Sequence, residues 1–277
     1  MQTAGAARGR ATTLNITLAD LEQLRALAAA AGEEVMQVYA APGAAWHKDD
    51  GSPLTEADLR ADAVLCEGLA RSFPGVPMLS EESGTRGGTA GGSFFLIDPL
   101  DGTKEFLKRN GEFTVNIALV ADGRVLAGVV LAPALGECYF AARGLGAWKA
   151  AGGAPLPLHV RPYVDGTCVR IAGSRSHGLA ALGACLDALP VSHEFQAIGS
   201  SLKFCRVAQG DADAYPRFGP TSQWDTAAAQ GVLEAAGGCV LGPGGTPLRY
   251  GMDLPIVNPS FVALGDRRLF PWFHIDG

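Results

Sequence analysis

The stretch FFLIDPLDGTKEFLKRNGEFTVNIALV, residues 94–120, places an acidic, glycine-containing turn between two apolar runs of strand length. FFLID leads into the turn, and FTVNIALV, RVLAGVVLAP and GECYFAA then follow one another with ADGR and PALG between them. Short apolar runs separated by such turns predict an antiparallel meander across residues 94–142. Asp98 and Asp101 stand three residues apart at the end of the first run, with only Pro99 and Leu100 between them. Asp and Gly favour turns for local backbone reasons. Two carboxylates crowded there also repel each other, which suggests that something positive sits between them.

On the N-terminal side, Leu18, Leu21, Leu24, Leu27, Ala31, Val35 and Val38 recur at helical spacing. Thr17 and Asp20 are placed as a capping box for that helix. A second helix is expected from Thr55 to the stop at Pro74, after the polar loop HKDDGSP. SGTRGGTAGG, residues 83–92, reads as a flexible glycine-rich loop; it lacks the GK[ST] ending of a phosphate-binding loop.

On the C-terminal side, the loop AAGGAPLPLH gives way near residue 160 to strands alternating with helices. These are strand CVRIAGS, helix LAALGACLDAL, strand HEFQAIG, helix SSLKFCRVAQG, strand ADAYPRF and helix WDTAAAQGVLEAAGG. The strands CVLG and PSFVALG close the chain. The pattern is that of a sheet covered by helices. The expected fold class is thus layered α/β: a helix pair against a large antiparallel sheet, then an α/β layer with a smaller sheet. The expected organisation is a disordered lead at 1–15, a first half at 16–158 and a second half at 159–277.

Composition narrows the function. The 277 residues are 48% hydrophobic and 18% charged, with a formal net charge of −6. That balance argues against a nucleic-acid or anionic-membrane surface and leaves room for a local basic pocket. The six cysteines are scattered without a CxxC pair, which suits reduced thiols in a cytoplasmic protein. MQTAGAARGRATTLN has no apolar core for a signal peptide, and no run of eighteen apolar residues occurs. Peripheral contact with the inner membrane face and the choice between monomer and homodimer stay open.

More carboxylates follow apolar stretches. Glu81 and Glu82 come after VPML, and Asp225 opens a helix in WDTAAAQ. Glu81 or Glu82 alone could be a solvated loop residue and Asp225 a helix cap. Asp58, three residues after Thr55, equally fits a second capping box. Hard divalent cations prefer oxygen ligands, and acidic residues gathered from several strand and loop ends are what a two-metal phosphatase needs.

DPLDGTKEF resembles the signature of the inositol monophosphatase superfamily, and WDTAAAQGVLEAAGG resembles its second signature. The likeness extends through KDDGSPLTEAD, LSEES, GSRSH and GSSLKFCRVAQGDADAYPRFGPTSQWDTAAA, over most of residues 46–238. Its longer strings look like the CysQ branch of 3′(2′),5′-bisphosphate nucleotidases. The resemblance implies a sugar-phosphatase-type αβαβα sandwich and a lithium-sensitive, magnesium-dependent phosphatase of sulfur metabolism, holding roughly two or three Mg²⁺ ions. It implies Glu81, Asp98, Asp101, Asp225 and the Leu100 carbonyl as metal ligands, with Glu81 rather than Glu82 as the matching acid. It implies Asp58 and Thr103 as the pair that orients and deprotonates the attacking water. Gly102 and Thr103 would donate backbone N–H groups to phosphate. His177, Ser200, Lys203 and Arg217 match nucleotide-contacting positions. The implied partner is a small nucleotide bisphosphate: 3′-phosphoadenosine 5′-phosphate, with the 5′-phosphosulfate as second substrate.

Three alternatives compete with this reading. A haloacid-dehalogenase-type phosphatase also uses Asp in a DGT context, but needs a nucleophilic Asp where Pro99 stands. Inositol monophosphatase or a sugar bisphosphatase is the runner-up within the superfamily. A silent nucleotide sensor is disfavoured by the intact acids.

Overall fold

The structure, a computed structural model, describes residues 15–41, 45–47, 53–88, 92–175 and 178–275. The lead expected at 1–15 lies outside the described residues except for Asn15. Helix α1, Leu18–Ala40, starts at the expected box: the Thr17 hydroxyl accepts from the Asp20 N–H, and the Asp20 carboxylate accepts from the Thr17 N–H at 2.9 Å. A hairpin of β1, Ala45–His47, and β2, Pro53–Thr55, flanks residues 48–52, which lie outside the described residues. Helix α2, Glu56–Ser72, packs on α1, and both bury their apolar stripes.

The large sheet comprises β3 (Met78–Ser80), β4 (Gly84–Arg86), β5 (Ser93–Asp101), β6 (Thr114–Ala121), β7 (Arg124–Ala132), β8 (Glu137–Ala142), β9 (Gly146–Ala150) and β10 (Leu156–Pro157). The short helix α3, Thr103–Leu107, follows β5 directly. The spatial order is β10-β9-β8-β7-β6-β5-β3-β4. The meander is antiparallel as expected, but β3 runs parallel to β5, so the sheet is mixed at that edge. Two loop expectations also need correction. Gly84–Arg86, inside the supposed glycine-rich loop, pairs with β3, and Leu156–Pro157, inside the supposed 150–159 loop, pairs with β9. Both segments are too short and too exposed to show a strand period in sequence.

The smaller sheet is built from β11 (Val169–Gly173), β12 (His193–Ala197), β13 (Ala214–Arg217), β14 (Cys239–Leu241) and β15 (Phe261–Leu264), in the order β12-β11-β13-β15-β14. Helices α4 (Leu179–Asp187), α5 (Leu202–Ala208) and α6 (Gln223–Ala235) come from the same part of the chain. Three cores separate the layers, and strand alternation decides which residue joins which. Phe95 and Ile97 of β5 face α1 and α2, whereas Phe94 and Leu96 face a middle core with α5 and α6. That middle core is also walled by Ala172, Tyr215, Val240 and Phe261 of the small sheet. A third core lies beyond, under α4 and the short 3₁₀ helix Arg267–Trp272. The result is the αβαβα layering expected from sequence.

Close contact between layers depends on missing side chains. A Cβ on Gly128 of β7 would lie 2.2 Å from the Ala228 carbonyl oxygen of α6, so only glycine lets this helix sit so low on the sheet. The consequence is functional, because the N-terminus of α6 carries Asp225.

Candidate active site

The spacing of Asp98 and Asp101 is explained by a β-bulge. Across the β5–β6 pair, Asp98 faces Asn116 and Asp101 faces Thr114, so three residues of β5 span two of β6. Residues three apart on a regular strand point to opposite faces; the extra residue returns both acids to one face. That face also carries Phe94 and Leu96 toward the middle core. Pro99, with no N–H to donate, is tolerated in this irregularity. Gly102 then turns the chain with φ 91°, a left-handed conformation natural to glycine, and α3 begins at Thr103.

Other elements bring further acids to the same place. Glu81 directly follows β3, and its N–H donates to the Ile97 carbonyl at 3.1 Å. Asp225 sits in the first turn of α6, where one carboxylate oxygen accepts from the Ser222 N–H at 2.8 Å. Glu81, Asp98 and Asp225 each offer a carboxylate oxygen, and these oxygens all lie within 4.8 Å of one another. Asp98 Oδ1 accepts from the Leu100 N–H at 3.1 Å, whereas Oδ2 is buried with no hydrogen-bond partner among the described residues. Asp101 lines the same cleft beside this trio, one oxygen accepting from the Ser201 N–H at 2.5 Å and from Thr114 Oγ1 at 3.4 Å.

The electrostatics match this crowding. Burial, reinforced by Glu81, Asp101, Asp225 and Asp58, pushes the Asp98 carboxyl well above the usual range. Burial raises Asp225 to about 8, Asp101 adding to the rise and the Ser222 N–H opposing it. Asp101 rises to about 6, again chiefly by burial, with Lys203 and the Ser201 N–H holding it down. Carboxylates disfavoured as anions, one with an orphaned buried oxygen, fit a divalent cation that the fold itself does not supply. Groups whose folded pKa is raised stabilise the fold at low pH and lose that contribution as pH climbs through the folded value. The chelator-treated protein is therefore expected to lose thermal stability from about pH 5 to about pH 8. Added Mg²⁺ should restore stability most at the upper end. Differential scanning fluorimetry across that range checks both, and a chelated protein that gains stability with rising pH would contradict them.

Asp58 closes a helix cap and also faces the DGT turn. Its Oδ2 accepts from the Thr55 N–H at 2.7 Å and from Thr55 Oγ1 at 2.6 Å, completing the capping box of α2. Its Oδ1 faces Thr103 Oγ1 at 3.5 Å, and Thr103 Oγ1 also donates to the Leu100 carbonyl at 3.3 Å. One carboxylate thus closes a helix and reaches the DGT turn from 45 residues away.

The cleft, about 260 Å³, runs from Glu81 past Gly102 and Thr103 to Ser200, Lys203, Tyr215 and Arg217. Lys203 is buried rather than a surface helix residue; its Nζ donates to the Ile198 and Ser200 carbonyls and lies 5.2 Å from the Tyr215 ring centroid. Burial lowers the Lys203 ammonium to about 8, with Asp101 opposing the fall. Arg217, also buried, donates to the Gly219 and Pro220 carbonyls. His177 lies outside the described residues.

Three buried polar residues beside the site went unnoticed in the sequence. Thr114 Oγ1 meets Ser201 Oγ at 2.8 Å, and Ser201 Oγ donates to Asn116 Oδ1 at 2.9 Å. This network steadies Asp101 between the two sheets. The signal was present in TVN: two polar residues two apart, on one face of an otherwise apolar strand opposite the acids.

Among the described residues, no helix is long and apolar enough to cross a membrane. Residues 19–269 match the family described as Inositol monophosphatase family. The 3′(2′),5′-bisphosphate nucleotidase CysQ of Escherichia coli K12 is 46% identical over 245 residues, 87% of this chain and 98% of that protein. The CysQ nucleotidase of Aggregatibacter actinomycetemcomitans is 37% identical, covering 91% of this chain and 94% of that protein. Among solved structures, CysQ from Bacteroides thetaiotaomicron superposes with a TM-score of 0.72 at 37% identity, over 89% of this chain and 97% of that one. SuhB from Bartonella henselae gives a TM-score of 0.79 at 25% identity, over 93% of this chain and 98% of its own. With matches of this extent in both sequence and fold, the chain belongs to the inositol monophosphatase family.

Proposed function

We propose that this protein is a magnesium-dependent 3′(2′),5′-bisphosphate nucleotidase. It hydrolyses the 3′-phosphate of 3′-phosphoadenosine 5′-phosphate to give AMP and phosphate, and accepts the 5′-phosphosulfate analogue as well. The observation that carries the reading is the convergence of Glu81, Asp98 and Asp225 within 4.8 Å, with Asp101 beside them, at one end of a cleft whose other end holds two buried cations. Its likeness to the CysQ nucleotidases supports the choice of substrate.

Glu81, Asp98, Asp101, Asp225 and the Leu100 carbonyl would hold two or three Mg²⁺ ions. Such ions, when bound, acidify water and offset charge on the phosphate and the leaving ribose oxygen. Thr103 Oγ1 orients the attacking water and passes its proton to Asp58 Oδ1, the oxygen not engaged by Thr55. The Gly102 and Thr103 N–H groups donate to the phosphate as it changes geometry. Attack is direct, so no phosphorylated side chain is required.

The carboxylates cannot tell one phosphomonoester from another; choice of substrate falls to the far end of the cleft. Lys203 and Arg217 are the cations available there for the 5′-phosphate, with Ser200 on the adjoining wall and His177 assigned to the nucleoside by resemblance. A buried charge-assisted contact contributes about 1.5–3 kcal/mol, or roughly ten- to hundredfold in kcat/KM. Arg217→Ala is expected to lower kcat/KM by that factor for the nucleotide bisphosphate and to change it little for a simple sugar monophosphate. Parallel kinetics on the two substrates test the assignment, and equal losses on both would refute it.

A further inference from the structure

The segment 198–201 joins β12 to α5 and forms a wall of the cleft through Gly199, Ser200 and Ser201. Charged side chains hold its peptide groups one after another. Arg175 Nη2 donates to the Ala197 carbonyl at 2.6 Å, and Lys203 Nζ to the carbonyls of Ile198 and Ser200. The Gly199 N–H donates to Glu112 Oε2 at 2.8 Å, and the Ser201 N–H to Asp101 Oδ2. Glu112 and Arg175 also grip each other through two bonds, Nη1 to Oε2 and Nη2 to Oε1, the latter at 2.9 Å. Burial pushes the Glu112 carboxyl up, but Arg175 and the Gly199 N–H outweigh it and hold the group below its usual range.

The backbone here needs such restraint. Ser200 has φ 47°, a conformation disfavoured for a residue with a side chain. A Cβ on Gly199 would lie 2.7 Å from both the Glu112 carbonyl oxygen and Glu105 Cγ. A Cβ on Gly102 would lie 3.2 Å from that same oxygen and 3.3 Å from Ser200 Cβ. The DGT turn, the Glu112 backbone and the 199–201 wall are thus stacked in contact. Glu112 comes from the segment between α3 and β6, and Arg175 from the segment after β11. Neither lines the cleft.

We propose that Glu112 and Arg175 are a positioning pair that clamps the 199–201 wall against the DGT turn and so sets the cleft for a nucleotide bisphosphate. The proposal rests on reading the cleft as the substrate site. It acts on binding: the wall is displaced when the clamp is lost, while Glu81 just after β3, Asp98 on β5 and Asp225 on α6 keep their own supports and Asp101 keeps its bond from Thr114.

The test is steady-state kinetics on 3′-phosphoadenosine 5′-phosphate for Arg175→Ala, Glu112→Gln and Arg175→Lys, with Mg²⁺ half-saturation and amide hydrogen exchange alongside. Each of the first two variants is expected to raise KM about tenfold, with kcat and Mg²⁺ half-saturation nearly unchanged. Arg175→Lys, which keeps the charge but not the two-pronged grip, should recover part of that loss. The Gly199 and Ser201 amides should be protected in the wild type and exchange faster in Arg175→Ala. An unchanged KM, or a fall in kcat and thermal stability with KM constant, would overturn the proposal. Fast exchange at those two amides in the wild-type protein would overturn it without any variant. If the wild type does not release phosphate from the bisphosphate, the functional reading fails, and the exchange measurement still judges the clamp.

Discussion

Asp225→Asn is expected to lower kcat/KM at low Mg²⁺ on the order of a thousandfold, about 4 kcal/mol of lost transition-state stabilisation. The substitution removes one negative charge from the Glu81–Asp98–Asp225 trio but leaves an oxygen able to accept from the Ser222 N–H. Helix α6 should therefore stay capped, and the loss should fall on cation binding. Burial and Asp101 already disfavour the Asp225 anion, so the same substitution should stabilise the chelated protein at pH 8. Asp101→Asn should behave alike in turnover. Kinetics titrated with Mg²⁺, paired with melting curves in chelator, separate the two effects. Wild-type rates at low Mg²⁺ would remove Asp225 from the ligand set. Glu82→Gln serves as the control, since Glu82 does not join the trio.

Asp58→Asn should also be severe, through a different parameter. A positioned general base contributes about 10²–10⁴-fold, and an amide facing Thr103 Oγ1 cannot take a proton. Because Asp58 stands outside the trio, Mg²⁺ half-saturation should shift little while kcat falls by that factor. The amide oxygen can still serve Thr55, so α2 should remain capped. A variant with near-wild-type kcat would take Asp58 and Thr103 out of the proton path. A large loss of Mg²⁺ affinity would instead tie Asp58 to the cations.

The layering of this fold was legible because its long elements carry their periods openly. The stripe of α1 pointed to a buried face, the apolar runs of β5 to β8 with turns between them pointed to a meander, and the helices between the C-terminal strands pointed to a second sheet. Short edge segments carried no such signal, so β4 and β10 were read as loop, and the parallel β3–β5 pair was invisible because register is a tertiary property. In the site, Asp98, Asp101 and Asp225 stood in recognisable turns and caps. What the sequence could not show was how the acids converge. The β-bulge that turns Asp98 and Asp101 to one face exists only in the pairing with Asn116 and Thr114. Asp58 posed a different difficulty: its capping role is local and was visible in the residues, whereas its pairing with Thr103 is long-range and was implied only by the family resemblance. Glu112 and Arg175 left no trace, since nothing in their neighbours along the chain brings them together.

The most direct test of the account is phosphate release, in Mg²⁺ and in EDTA, from 3′-phosphoadenosine 5′-phosphate and from inositol 1-phosphate side by side. Far greater kcat/KM for the nucleotide, by at least about tenfold, and no turnover in EDTA are the predicted results. Equal or greater kcat/KM for inositol 1-phosphate, or full turnover of the nucleotide in EDTA, would contradict it.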